Sequence, residues 1–571
     1  MQSSKSAREY TCANVSRTKH CLKKGKWACK GCRLILYCSP VCQKAHWGEH
    51  KKACKSPYTK SSWTPSWHTE NRCPAFINND ALPYTRFGGT KYLWGNVPAI
   101  DILALGENEG KDYADDLSLL FAASGDLRNV FKTVANIPKQ YEKQLYITLN
   151  DRDLDIVARN AIMLILLLAT DDTTAAVDCV LHIWYSAQIT KAHKKLLDTV
   201  VRPLLQEMCD KISGKPDGRL LAKTWSWGEK SIRIVLSKQA WNATLQFLSF
   251  PIGLSSQQAH DLRLAVTLAP ERKDFLERHV YCLNPQHRVC FMRYREDGIL
   301  LPFGCSRSAF NIPNPTFFQT ADMWPLADGA DPMDGWSPKD VMDTFVGDVT
   351  NDIYGKIYFH VKDTLMSFCE RIEILKVSFD LFQVDAASLD DHLSHNTFAR
   401  IEVSNICDHA YLRLAPTIGI FAPMLQKPTV NPHATLITLF MNAVQEGFMN
   451  SGEETDIKVM TRELVLVNEY LPYRPFPNTN DPYFIKVTFA KSLVRDVDRY
   501  LAMYLEDVRA SLIMQLAKVK IKSSNSVVGK WPARLKLRPG QPGAQEEFNA
   551  ILASKMIGTE CYLEWQRAKE V

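Results

Sequence analysis

"LSLLFAASGDLRNVFKTVANIPKQYEKQLYITLND", residues 117–151, decides how most of the chain is read. It opens on a short apolar run, breaks at Ser124-Gly125-Asp126, continues with apolar residues at helical spacing, and returns to a second short apolar run ending at Asp151. Strand, turn, helix, strand in that order argues for a parallel βαβ unit, whose strands are apolar throughout because both faces are covered. The following "DIVARNAIMLILLLA", 155–169, reads as the next helix. Its apolar stretch, 161–169, is about half of what a membrane span needs, so a buried helix is expected and no membrane partner.

Parallel sheets bind ligands beyond the carboxyl ends of their strands. Two turns lie there. "ASGD", 123–126, offers Gly125 where a backbone could approach a ligand, and "NDRD", 150–153, offers Asp151 and Asp153 to a ribose hydroxyl. Asp at a helix start is more often a cap than a ligand, and one glycine falls short of a G-x-G-x-x-G loop.

Downstream, 173–372 loses the alternation and reads as a largely helical insertion or cap. Helices are expected over 175–212 and 230–248, a hairpin with a DG turn over "VCFMRYREDGILLPFG" (289–304), and a long loop over 311–336. The strand rhythm returns in "ILKVSFDLFQVDAASL", ending near Asp385, and in "ARIEVSNICD", ending at Ser404 and Asn405. The expected class is therefore α/β. Its sheet is split between 80–172 and 373–571, the second part closing with amphipathic helices and strands.

Upstream the composition changes. Residues 1–60 carry fourteen Lys and Arg against Glu9 and Glu49, a balance of +12 in a chain whose total is +7. Such a head could favour an acidic partner or nucleic acid, but metal-bound thiolates would cancel much of the charge. Sixteen cysteines without a charged-then-apolar leader suggest a reducing compartment, cytoplasmic or nuclear, where clustered thiols hold metal. Cys12, Cys21, Cys29, Cys32, Cys38, Cys42, His50 and Cys54 would fill two tetrahedral Zn²⁺ sites, and metal would supply stability that few aliphatics cannot. Ser39 and Pro40 suit a helix start. Cys42, His46, His50 and Cys54 then share one helical face, with His46 assigned to packing. Residues 55–79, rich in Ser, Thr, Pro and Lys, read as a linker that should let finger and body unfold separately.

The run C-x2-C-x5-C-x3-C-Q-x3-W-x2-H-x3-C, with Tyr37, Gln43 and Trp47 in place, resembles a MYND-type zinc finger. The resemblance implies cross-braced ligands: Cys12, Cys21, Cys38 and Cys42 on one zinc, and Cys29, Cys32, His50 and Cys54 on the other. It also implies a protein-interaction module that takes short proline-rich peptides. Cys12 and Cys21 are further apart than the family's usual first pair, which leaves His20 as an alternative to Cys12.

Two weaker resemblances concern the body. "LWGNVPAIDIL", "LLFAASGDLRNVFKTV" and "LNDRDLDIVARNA" resemble an uncharacterised domain found beside MYND fingers in fungal proteins and related to the amino-terminal part of a dynein axonemal assembly factor. The strand ends at V-D-A and S-N resemble a Rossmann-like S-adenosylmethionine methyltransferase. That likeness implies Gly125 near the methionine part, Asp151 or Asp153 near the ribose and Asp385 near the adenine. No G-x-S-x-G, P-loop, H-E-x-x-H or N-H-S-C motif is present, so no catalytic residue is assigned. The function expected from the sequence is an adaptor or scaffold binding partner peptides through the finger, the alternative a methyltransferase whose finger recruits substrate.

Overall fold

The structure, a computed structural model, describes residues 10–15, 21–77 and 88–568; His20 lies outside them. A nine-stranded mixed sheet organises the body. Its strands are β1 (Leu117–Phe121), β2 (Leu145–Asn150), β3 (Leu220–Trp227), β4 (Lys230–Ser237), β5 (Val377–Phe382), β6 (Arg400–Glu402), β7 (Thr435–Phe440), β8 (Val519–Ile521) and β9 (Cys561–Arg567). Across the sheet they lie in the order β8-β9-β7-β6-β1-β2-β5-β4-β3. The six strands from β7 to β4 run parallel; β9 and β3 run against them.

Period-two alternation divides the apolar residues between two cores. Leu119, Phe121, Ile437 and Leu439 point into the larger core. It is filled by the helix Leu154–Ala169, apolar from Ala161 onward, and by helices Arg128–Asn136 and Ile353–Ile372. Leu120, Ile401, Leu436, Leu563 and Trp565 face the second core, covered by helices Leu414–Met424, Ala443–Asn450 and Val497–Asp507. Under β2 and β5 this second face is thinly covered: Tyr146 is exposed and Asp380 half-exposed. Where β6 meets the chain before β1, Arg400 and Glu109 form a fully buried bidentate ion pair, with Nη1 and Nη2 each 2.7–2.8 Å from a carboxylate oxygen.

Three expectations need correction. The 289–304 stretch is not a hairpin. Asn284 and Pro285 start a helix that runs to Asp297, and Gly298, with φ +67°, ends it in the left-handed conformation glycine adopts at little cost. The DG pair is thus a helix stop. The insertion is not helical throughout, because 230–237 is strand β4, paired with β3 and added to the parallel edge at β5. Its Ile232, Ile234 and Leu236 are buried, a strand period obscured by the helix Lys238–Gln246 that follows directly.

Third, the stretch after the finger does not hold the two parts apart. Trp67 is buried and donates to the Asn480 carbonyl; Ser66 donates to Glu277 through backbone and hydroxyl; Arg72 forms a two-armed pair with Asp274. The finger itself rests on the body. Tyr10 packs edge-on to Phe359, Ile35 lies against Gly304, and Tyr10, Leu34, Ile35 and Tyr37 belong to the larger core. Among the described residues no helix is long and apolar enough to cross a membrane.

Candidate zinc centre and the switch point of the sheet

The finger is a minimal frame. Trp27–Ala28 pairs antiparallel with Leu36–Tyr37, the backbone turns at Arg33 with φ +53°, and helix Pro40–Cys54 follows. Ser39 caps that helix by accepting from the Cys42 amide, and Pro40 occupies its first turn. Hairpin, helix and the segment before them, tied in by the Cys12 amide on the Lys23 carbonyl and the Ala13 amide on the Leu36 carbonyl, gather the eight ligands into two groups, Cys12, Cys21, Cys38 and Cys42 in one and Cys29, Cys32, His50 and Cys54 in the other.

Within the groups, Cys21 and Cys38 sulphurs are 3.6 Å apart, Cys38 and Cys42 3.4 Å, Cys29 and Cys54 3.9 Å, and Cys32 Sγ lies 3.5 Å from His50 Nε2. Ligands about 2.3 Å from a tetrahedral zinc stand about 3.8 Å from one another, so both groups have the dimensions of a zinc site. The two clusters are compatible with two zinc ions. Burial raises the Cys12 thiol to about 12 and pushes Cys32 up further, whereas it lowers His50 to about 4. The imidazole is ready to ligate at neutral pH; the thiols give up their protons to an incoming metal. His46 stays outside both groups, accepting or donating at Tyr37 Oη (3.0 Å) and stacked on His50, which orients the ligating ring.

The order in which parallel strands are added reverses between β1 and β6, the place where an open α/β sheet forms a crevice. Gly125 follows β1 there, with φ +54°, and Asp151 follows β2. Both are spent on the loops. Gly125 donates its N–H to Asp151 (3.0 Å) and accepts from Asn160 through its carbonyl (2.8 Å). Asp151 also accepts from the Asp153 amide; Asp153 caps helix Leu154–Ala169 and pairs with Lys91 at 2.9 Å. Asp385 is exposed and caps the turn Ala386–Asp391.

The crevice itself holds an arginine. Arg128, buried, pairs with Asp126 at 2.6 Å and lies against Gly95 and Gly335, where a Cβ at Gly95 would meet its guanidinium at 2.1 Å. Its Nη1 stands 3.9 Å from where a Gly125 Cβ would be. Asp126 is further held by the Gly95 amide and the Trp184 indole. Glu402 of β6, wholly buried nearby, has its carboxyl raised to about 7, first by burial. Gly125, Asp151 and Asp153 are thus bonded within and between their own loops and Asp385 lies exposed on its turn, a geometry that gives S-adenosylmethionine no support.

Sequence reasoning did not anticipate a polar cluster in the insertion. A cavity of about 290 Å³ is lined by Asp178, His182, His193, Cys305, Ser306 and Phe310 among others. His193 accepts from the Thr190 amide at Nδ1, so Nε2 carries the proton and donates to Asp178 at 2.8 Å. His182 stacks on His193 and meets Ser186 through Nδ1. That tautomer leaves His193 no free lone pair for a metal. The i, i+4 spacing of Asp178 and His182 was the only sequence signal.

The family described as MYND finger matches residues 18–54, and a domain of unknown function (DUF4470) matches residues 93–189. Cys12 thus lies outside the matched stretch while standing inside the first ligand group. No solved structure matches the chain.

Proposed function

We propose that the chain is a zinc-dependent protein-interaction protein, an adaptor or scaffold whose MYND finger binds partner segments. The observation that supports this best is that both ligand groups are closed sets of four, leaving no position for a reacting water, while Leu22 and Val41, adjacent to ligands Cys21 and Cys42, are 85% and 75% exposed. A peptide library displayed on phage and selected against zinc-loaded and chelator-treated full chain tests it. Enrichment with zinc alone is expected, and equal enrichment or none would overturn the reading. Eight single variants, one at each ligand position from Cys12 to Cys54, assayed for bound zinc, test the ligand set including Cys12.

One observation favours a second reading, a methyltransferase whose finger recruits substrate: the parallel strands β5-β2-β1-β6-β7 have the 3-2-1-4-5 order of doubly wound nucleotide-binding sheets. The filled crevice opposes it. Titration calorimetry of the full chain with S-adenosylmethionine should show no binding; micromolar binding lost in Asp385→Ala would restore it.

A further inference from the structure

The finger and the body meet along a crevice of about 280 Å³. On the finger side it is lined by the apolar Ala13, Val15, Ile35 and Ala53 and by the polar His46, Glu49 and His50; on the body side by Phe303 and the Gly304-Cys305-Ser306 turn, with Arg293 and Arg307. Ile35 against Gly304 and the two hydrogen bonds from Asn351 to the Cys32 and Arg33 carbonyls fix the width of this opening.

The two arginines are not equivalent. Arg307 is consumed, donating to the carbonyls of Leu301, Pro302, Phe303 and Cys305 and pairing through Nε with Asp297 at 3.1 Å. Arg293 shares that same carboxylate, at 3.5 Å from its Nε, and lies over the Phe303 ring at 4.6 Å. Among the described residues its Nη groups bond to nothing. Two guanidiniums thus share one carboxylate beside an apolar floor, and the donors of the more exposed one are left over. A planar guanidinium with free N–H groups is suited to take a carboxylate.

The surroundings have the same sign. From Tyr10 to Gly48 the chain has eight Lys and Arg and no acid. Two zinc ions held by seven thiolates remove only three positive charges, so metal binding does not neutralise the finger. Glu49 on the crevice lip is the exception, and Lys52 pairs with it at 3.5 Å.

We infer that this crevice is a composite docking site, formed by finger and body together, for a peptide segment that presents a branched aliphatic side chain flanked by carboxylates. The aliphatic group enters between Ile35, Ala53 and Phe303; a carboxylate meets Arg293; further acids along the segment face the lysine-rich finger. A peptide is favoured over nucleic acid because the lining rings are already taken: Phe303 is buried under Arg293, His50 is buried, and His46 is held by Tyr37 and stacked on His50, which leaves no open face for a base to stack on. The inference rests on the interaction role proposed above and names the chemistry of the partner.

The test uses the zinc-loaded full chain and a positional-scanning library of acetylated, amidated dodecapeptides, with a neutral proline-rich peptide and a single-stranded oligonucleotide as controls. The expected result is selection of Leu, Ile or Val beside Asp or Glu. Affinity of the selected peptide, by fluorescence anisotropy, should fall about tenfold in Arg293→Gln and comparably between 50 and 300 mM salt. Ser306→Glu, on the body wall and outside the Asp297 network, should weaken it similarly with an unchanged melting temperature, which guards against misfolding of the arginine variant. Selection of neutral proline-rich peptides, or acidic binding indifferent to both variants, overturns the crevice and leaves the finger's interaction role standing. Preference for the oligonucleotide overturns the peptide assignment. Failure of every peptide overturns both readings.

Discussion

The finger and the nine-stranded sheet reach order by opposite routes. The finger has two strands of two residues, one helix and a handful of apolar side chains, so its shape depends on eight ligands spread over forty-three positions of sequence. The sheet has a hydrophobic core on either side of it. Its strands are buried on both faces at the centre. Yet the two are not independent, since the finger's Tyr10, Ile35 and Tyr37 extend the larger core. A metal-dependent part has become a wall of an apolar one.

The largest test of that contrast is removal of zinc. Chelation, or Cys32→Ser, takes away binding free energy on the order of 10 kcal/mol per site. It should melt the finger, seen as loss of zinc stoichiometry and of hydrogen-exchange protection in its helix, and should also lower the melting temperature of the body. An unchanged body transition would restore the picture of two separate units. Inside the sheet, Arg400→Met leaves Glu109 buried and unpaired and should destabilise by about 3–5 kcal/mol in denaturant unfolding, with zinc content unchanged. At the junction, Asn351→Ala strips the Cys32 carbonyl of its side-chain donor, leaves the backbone bond to the Arg33 carbonyl in place, and should cost about 1–3 kcal/mol. If that loss vanishes in the zinc-free protein, the contact is made only by the metal-ordered finger.

Acid gives a smaller, graded effect. Burial lowers His182 from 6.5 to about 3, so between those values the unfolded chain holds a proton that the folded one lacks. Stability from this group is complete above pH 6.5 and falls as pH drops toward 3, by at most about 1.4 kcal/mol per pH unit. His182→Phe should flatten the pH dependence of unfolding over that window. The smallest change is expected from Ile252→Ser at a wholly exposed site, within about 0.5 kcal/mol.

What the sequence disclosed follows the range of the interactions involved. The ligand groups were legible because thiol and imidazole spacing states the chemistry directly. Strands β1, β2, β5 and β6, with the helices after β1 and β2, were legible because the residues they turn to the larger core are written as dense apolar runs, even where the other face of β2 and β5 is thinly covered. Strand β4 was lost because it runs without a break into the helix Lys238–Gln246, and its hairpin partner β3 was not read as a strand at all. The DG pair at 297–298 carries the same φ requirement in a hairpin and at a helix end, so the residues alone could not choose. Arg128 against Gly95 and Gly335, Asn351 on the finger carbonyls and Ile35 against Gly304 act across segments that meet only in the folded chain.

Strand β2 pairs with β5 from Leu145 to Val377, and β1 pairs with β6 from Leu119 to Arg400. A ribosome adding about 5–20 residues per second needs roughly 10–50 seconds to make the chain between those partners. During that interval β1 and β2 can pair with each other, but their outer edges and apolar faces wait. The finger, whose ligands all lie within the first fifty-four residues, can take up metal long before. Its birth is quick and local, while the sheet is assembled late from distant pieces, which makes the half-made body the stage of synthesis most in need of a chaperone.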